Sequence, residues 1–170
     1  MFSKSIRRAL IASGLVIGAT AAFSPTAFAQ VSETVDLSGT VATTLNITSV
    51  ATGPASALVL DGLGTAPTDH IVKVADLAIS TNNATGYELT VSSGDLTNET
   101  GETPISYQVT TVGDELEAPT TFNTPSGDIY TVASGAAGSV PQDLYIKYTP
   151  AEFQDAGLYG AEITLNVTDN

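Results

Sequence analysis

Few side chains in this sequence are equipped for chemistry. His70 is the only histidine. An imidazole can act as a general base near neutral pH, yet His70 follows Thr68-Asp69 at the start of a strand-like run and has no serine or cysteine partner in a recognisable motif. It reads as a surface residue. Gly-x-Ser-x-Gly, His-Glu-x-x-His, phosphate loops and zinc-ligand clusters are all absent. Paired carboxylates can hydrolyse glycosides, but 18 acids among 170 residues produce such pairs by chance. Asp95, Asn98, Glu99 and Glu102 offer the oxygen ligands that calcium prefers, without the regular spacing of a calcium loop, and read as a solvated hairpin connection. Asp114-Glu115-Leu116-Glu117 reads as a second solvated loop. Tyr107, Tyr130, Tyr145 and Tyr148 could form a sugar-binding face, although aromatic residues at strand spacing more often pack in a core. Sequons begin at Asn46, Asn83, Asn98 and Asn166, as a threonine-rich chain produces by chance. The expectation is a protein without enzymatic activity, cofactor or metal.

The elements that would hold these residues begin behind a secretory signal. Residues 1–29 have a basic start (Lys4, Arg7, Arg8), an apolar stretch and a small-x-small end at Ala27-Phe28-Ala29, predicting cleavage after Ala29 and export. The apolar run is short for a bilayer span and is broken by Gly14, Gly18 and Pro25. Residues 30–170 are expected to form a single domain with an N-terminal arm at 30–41. They carry all 18 acids against only Lys73 and Lys147, a net charge of −16. Such a surface repels phosphate backbones and anionic lipid, which argues against nucleic-acid binding and stable membrane insertion. With no cysteine in an exported chain, packing and sheet hydrogen bonds must supply the stability.

The most telling pattern directly follows the signal. From 31 to 47 the odd positions include Val31, Val35, Leu37, Val41, Leu45 and Ile47, while the even positions are mostly polar. Side chains alternate across a strand, so this predicts one apolar face that must be buried in its own sheet or in a neighbour's. Gly39 is a natural break between a donated part at 31–38 and an intramolecular part at 40–50. Further strand-like runs lie at 57–60, 71–79, 87–91, 105–109, 129–132, 144–148 and 159–167. About 7–9 strands with no helix-period segment predict an all-β, immunoglobulin-like antiparallel sandwich, incomplete if a donated N-terminal strand completes it. Thr149-Pro150-Ala151-Glu152 carries a capping residue, proline and glutamate at helix-start spacing, predicting a single helical turn. Asp155, Gly157 and Tyr159 match the Asp-x-Gly-x-Tyr pattern of a tyrosine corner, whose hydroxyl ties a late strand to the preceding loop; a polar turn with a chance tyrosine is the simpler alternative.

Three stretches together resemble bacterial fimbrial subunits and the related spore-coat-U-type secreted proteins. They are the alternating segment 31–41, Asn82-Asn83-Ala84-Thr85-Gly86-Tyr87-Glu88-Leu89-Thr90-Val91, and the closing 156–167. The resemblance implies an incomplete sandwich completed by the N-terminal extension of the next subunit, with Val31, Val35, Leu37 and Val41 as the assembly strand. It also implies a homopolymer, a periplasmic chaperone or outer-membrane secretion partner, and a secreted or cell-surface location. The chain departs from chaperone–usher pilins in having no disulfide and no penultimate tyrosine. The competing expectation is a monomeric cell-surface adhesin or ligand-binding module, in which the first strand pairs internally.

Overall fold

The computed structural model describes residues 34–60, 66–99 and 103–170. The chain divides into two compact units, Met1–Gly39 and Thr40–Asn170. In the first unit, the described residues 34–39 have no regular secondary structure, and Val35 and Leu37 are exposed. Val31 and the signal segment lie outside the described residues.

The second unit is all-β, built from antiparallel strands. These are β1 (Leu45–Ala51), β2 (His70–Thr81), β3 (Tyr87–Ser92), β4 (Gly94–Asn98), β5 (Ile105–Gly113), β6 (Ile129–Ser134), β7 (Gly138–Tyr148), β8 (Tyr159–Gly160) and β9 (Leu165–Asp169). Six strands form one sheet in the order β1-β2-β7-β5-β4-β8, and three form another in the order β6-β3-β9. The sandwich-like core joins both sheets. On β3 the alternation of Tyr87, Leu89 and Val91 with polar residues places all three side chains fully inside. Leu77 and Ile79 of β2, Ile105, Tyr107 and Val109 of β5, and Leu144, Ile146 and Tyr148 of β7 join the same cluster. A register shift between Lys73 and Ala75 lets Val74 and Ala75 both reach the core from consecutive positions.

Several expectations are corrected. The alternating segment joins a sheet of its own chain only from Leu45: the described residues 34–44 have no ladder, so the expected intramolecular part at 40–50 begins five residues late. The cause lies in its partner. Leu45 pairs with Thr81, the last residue of β2, beyond which Asn82-Asn83 turns toward the other sheet. The run at 57–60 is also not a strand. A 3-10 turn at Gly53–Ser56, with Pro54 in its first positions, takes the chain off β2, and Leu58 and Leu60 then pack on the core without a ladder. The final run is split, because β8 pairs with β4 in one sheet and β9 with β3 in the other, so residues 161–164 cross between sheets. The expected helical turn after Thr149 is a plain turn. The Thr149 hydroxyl donates to Asp69 (2.6 Å) instead of capping, and the Ala151 N–H finds the Gln154 side chain (3.2 Å). Asp95 and Asn98, read as loop residues, lie in β4, where Leu96 and Asn98 are buried on alternate positions.

Candidate functional site: an apolar groove with two unpaired rims

β1 and β9 are each the end member of a sheet. The Ser92 N–H donates to the Thr164 carbonyl (3.0 Å) and the Asn170 N–H to the Gly86 carbonyl (3.2 Å). The even-numbered residues of β9 therefore face β3, and the backbone groups of Leu165, Val167 and Asp169 point outward, since bonded and non-bonded pairs alternate in an antiparallel ladder. The Asn82 N–H donates to Thr44 and the Thr52 N–H to Val74, so by the same parity Leu45, Ile47, Ser49 and Ala51 present outward backbone groups on β1. Neither rim has a partner strand on that side among the described residues.

A cavity of about 590 Å³ opens on this side of the sandwich. Its walls come from the end of β1 and the 3-10 turn (Ser49, Ala51, Ala55), from the sheet floor (Val74, Leu144, Ile146) and from the stretch 158–165 that contains the crossing (Leu158, Ile163, Leu165). At the opposite end the rims are tied down. The Thr81 hydroxyl donates to the Asp169 carboxylate (2.9 Å), and Asn83 and Thr85 each donate to the Asn170 carbonyl (2.7 Å both). The groove is therefore closed at the Thr81 end and open at the Ala51 end.

Gly157 and Tyr159 line this cavity, and Asp155 is tied to them through the Tyr159 hydroxyl. The Tyr159 hydroxyl donates to the Asp155 carbonyl (3.0 Å) and accepts from Gln154 Nε2 (2.7 Å) and Asn98 Nδ2 (3.1 Å). Gln154 also donates to the Thr103 carbonyl (2.6 Å), so one tyrosine oxygen gathers β4, β8 and the loop between β7 and β8. Gly157 lies against Asn98, where an added Cβ would sit 3.3 Å from the amide nitrogen. Gln154 and Asn98 carry no sequence signal of this role. Of the assembly residues, Val35, Leu37 and Val41 are 83%, 92% and 86% exposed.

The remaining chemistry-bearing groups lie elsewhere. Lys73 bridges Asp76 (2.6 Å) and the buried Asp143 (2.7 Å). These two carboxylates raise the ammonium well above its usual pKa, chiefly through the Asp143 contact. Asp114 completes a three-carboxylate group with Asp76 and Asp143, in which Lys73 already supplies the positive charge. His70, half-buried, stacks on Tyr148 with ring centroids 5.3 Å apart. Beside it Asp69 pairs with Lys147 (2.7 Å), and this contact followed by the Thr149 hydroxyl holds its carboxyl below the usual range. Tyr107, Tyr145 and Tyr148 are buried, and Tyr130 is half-buried with its hydroxyl 3.0 Å from Thr111, so the four do not form an exposed aromatic face. Glu102 of the acidic loop lies outside the described residues.

No protein-family model matches the chain, and a search of curated proteins finds no match.

Proposed function

We propose that this chain is a structural subunit of an extracellular filament or surface layer, polymerising by insertion of its N-terminal segment into the groove of a neighbouring copy. One observation carries the reading. A single chain holds an apolar groove between two strands with outward-facing backbone groups, and an alternating apolar segment whose Val35, Leu37 and Val41 are exposed. A strand laid in the groove gains backbone partners on β1 and β9 and places alternate side chains in the cavity. Burying four or five aliphatic side chains contributes on the order of 10 kcal/mol before ordering costs.

Polarity supports a linear product. The chain enters β1 at the Thr81 end, whereas the groove opens at the Ala51 end. Arm root and groove mouth thus occupy opposite ends of the sandwich, a head-to-tail arrangement that extends and does not close as a twofold pair. The expected signal-directed export places the polymer outside the cell.

The test compares the full chain with its Val35→Asp/Leu37→Asp variant by light scattering and electron microscopy. The wild type should form fibres, and the variant should remain monomeric yet capture a labelled synthetic peptide of residues 34–44. A variant that forms unchanged fibres, or that ignores the peptide, refutes strand donation. The second reading, a monomeric adhesin or ligand-binding module, draws on the cavity's volume, which suits a small apolar ligand. It predicts that the wild type stays monomeric at every concentration.

A further inference from the structure

A subunit that carries both donor and acceptor faces a competition with itself. A segment tethered by a short flexible linker sits at an effective concentration of order millimolar at its own groove, far above that of other subunits, unless geometry forbids the engagement. We infer that Asn82 is the positioning residue that forbids it, a latch on the arm's root that keeps the donor segment out of its own groove. This rests on the strand-donation reading.

The geometry at Asn82 is specific. Its backbone N–H donates to the Thr44 carbonyl (3.1 Å), its side-chain oxygen accepts from the Thr44 N–H (2.8 Å), and its side-chain nitrogen donates to the Ala42 carbonyl (2.7 Å). Three hydrogen bonds made by one residue, two of them through its side chain, hold the chain for three residues beyond the β1 ladder, past the point where β2 ends. The chain from Ala42 to Thr44 is thereby held along the axis of β1, heading away from the groove mouth. All these bonds are solvent-exposed and bury no apolar side chain, so core packing does not explain them.

Register converts that latch into a choice between cis and trans. To fill its own groove the arm must fold back beside β1 as a hairpin. While residues 42–44 are latched, the tightest turn available uses Gly39-Thr40 and sets Leu37 opposite Ala42 and Val35 opposite Thr44. Both apolar side chains then lie short of β1, beyond the tied end of the groove. Releasing Asn82 permits a three-residue turn at Ala42-Thr43-Thr44, which sets Leu37 opposite Ser49 and Val35 opposite Ala51, so that both side chains share the face of these cavity-lining positions. The partner of Leu37 thereby moves by seven residues, from Ala42 to Ser49, enough to carry Leu37 from outside the groove to its open part. Asn82 thus decides which copy's groove the arm can reach, without touching either arm or groove contacts.

The experiment uses the full chain throughout. Asn82→Ala should move the product from polymer to closed monomer, raising the fraction that is monomeric and unable to capture the 34–44 peptide by about tenfold. In the Val35→Asp/Leu37→Asp background, which has a free groove and a disabled arm, adding Asn82→Ala should leave peptide capture unchanged, a result that separates latching from general damage to the fold. Should Asn82→Ala fail to fold in that background, Asn82→Asp serves instead. It keeps the acceptor for the Thr44 N–H and loses the donor to Ala42, and a smaller rise in closed monomer is expected. Polymer yield equal to wild type in the folded Asn82 variant overturns the latch and leaves strand donation standing. Failure of the Val35→Asp/Leu37→Asp protein to capture peptide overturns strand donation and the latch together.

Discussion

The Thr81 hydroxyl lies 2.9 Å from the Asp169 carboxylate, joining the last residue of β2 in one sheet to the last residue of β9 in the other. The same oxygen accepts from the Asn83 N–H (3.0 Å), so a single buried threonine fixes both the end of the sandwich and the turn that leaves it. Thr81→Val keeps the shape and removes both bonds. Because one partner is a carboxylate, the expected loss is about 1–3 kcal/mol, read from urea unfolding as a lower midpoint with an unchanged slope.

Tyr159→Phe deletes the hydroxyl shared by Asp155, Gln154 and Asn98 while keeping the ring. A loss of about 1–3 kcal/mol is expected, concentrated locally. Hydrogen exchange should quicken across 154–160 well before it does in β3 or β7. Uniform quickening across all strands contradicts a role confined to the groove wall.

Lys73 and Asp143 form a partly buried ion pair, with Asp143 only 2% exposed. Lys73→Met leaves that carboxylate inside without a counter-charge and should lower the unfolding midpoint clearly more than Asp76→Asn, whose carboxylate is half exposed. Lys73→Met combined with Asp143→Leu should recover most of the loss, since an apolar pair of similar volume carries no desolvation cost. A double variant as unstable as the single one refutes the pairing account.

Stability should fall on the alkaline side. Burial pushes the Tyr87, Tyr107 and Tyr148 hydroxyls above the usual value near 10, and carboxylate contacts raise Lys73 in the same direction. A group whose folded pKa is raised gives its full stabilisation below the unfolded value and loses it as pH rises through the folded value. The unfolding midpoint should therefore be flat toward neutrality and drop above about pH 10. Asp69 works oppositely, with its contribution present above the ordinary carboxylate range and lost on acidification, but its exposure makes that effect small. A midpoint that is constant to pH 11.5 contradicts the tyrosine burial.

Most of the sheet was legible from residue alternation. Tyr87, Leu89 and Val91 announce β3, and Ile105, Tyr107 and Val109 announce β5, because half-buried strands repeat every two residues. β4 escaped this reading because Leu96 is its only apolar side chain and its other buried residue is Asn98, a polar group that fits the core only through partners such as Tyr159. The segment at 34–44 alternates as cleanly as any strand, but alternation records a face that suits burial, not a partner present in the same sheet. The pattern at Asp155, Gly157 and Tyr159 could be read in advance, whereas the cavity beside it could not. Its walls are drawn from segments more than one hundred residues apart, Ser49 and Leu165 among them, and only the topology brings them together.

The scarcity of cations in this acidic sandwich has a practical consequence. After Arg8 the only bonds that a trypsin-like protease can cut follow Lys73 and Lys147. Both lie within hydrogen-bonded strands of the six-stranded sheet, and both ammonium groups are engaged by carboxylates. Cleavage needs an extended, released peptide in the enzyme's active site, so digestion must wait for the sheet itself to open. Intact survival in trypsin therefore offers a simple way to enrich the folded protein over lysine-rich neighbours.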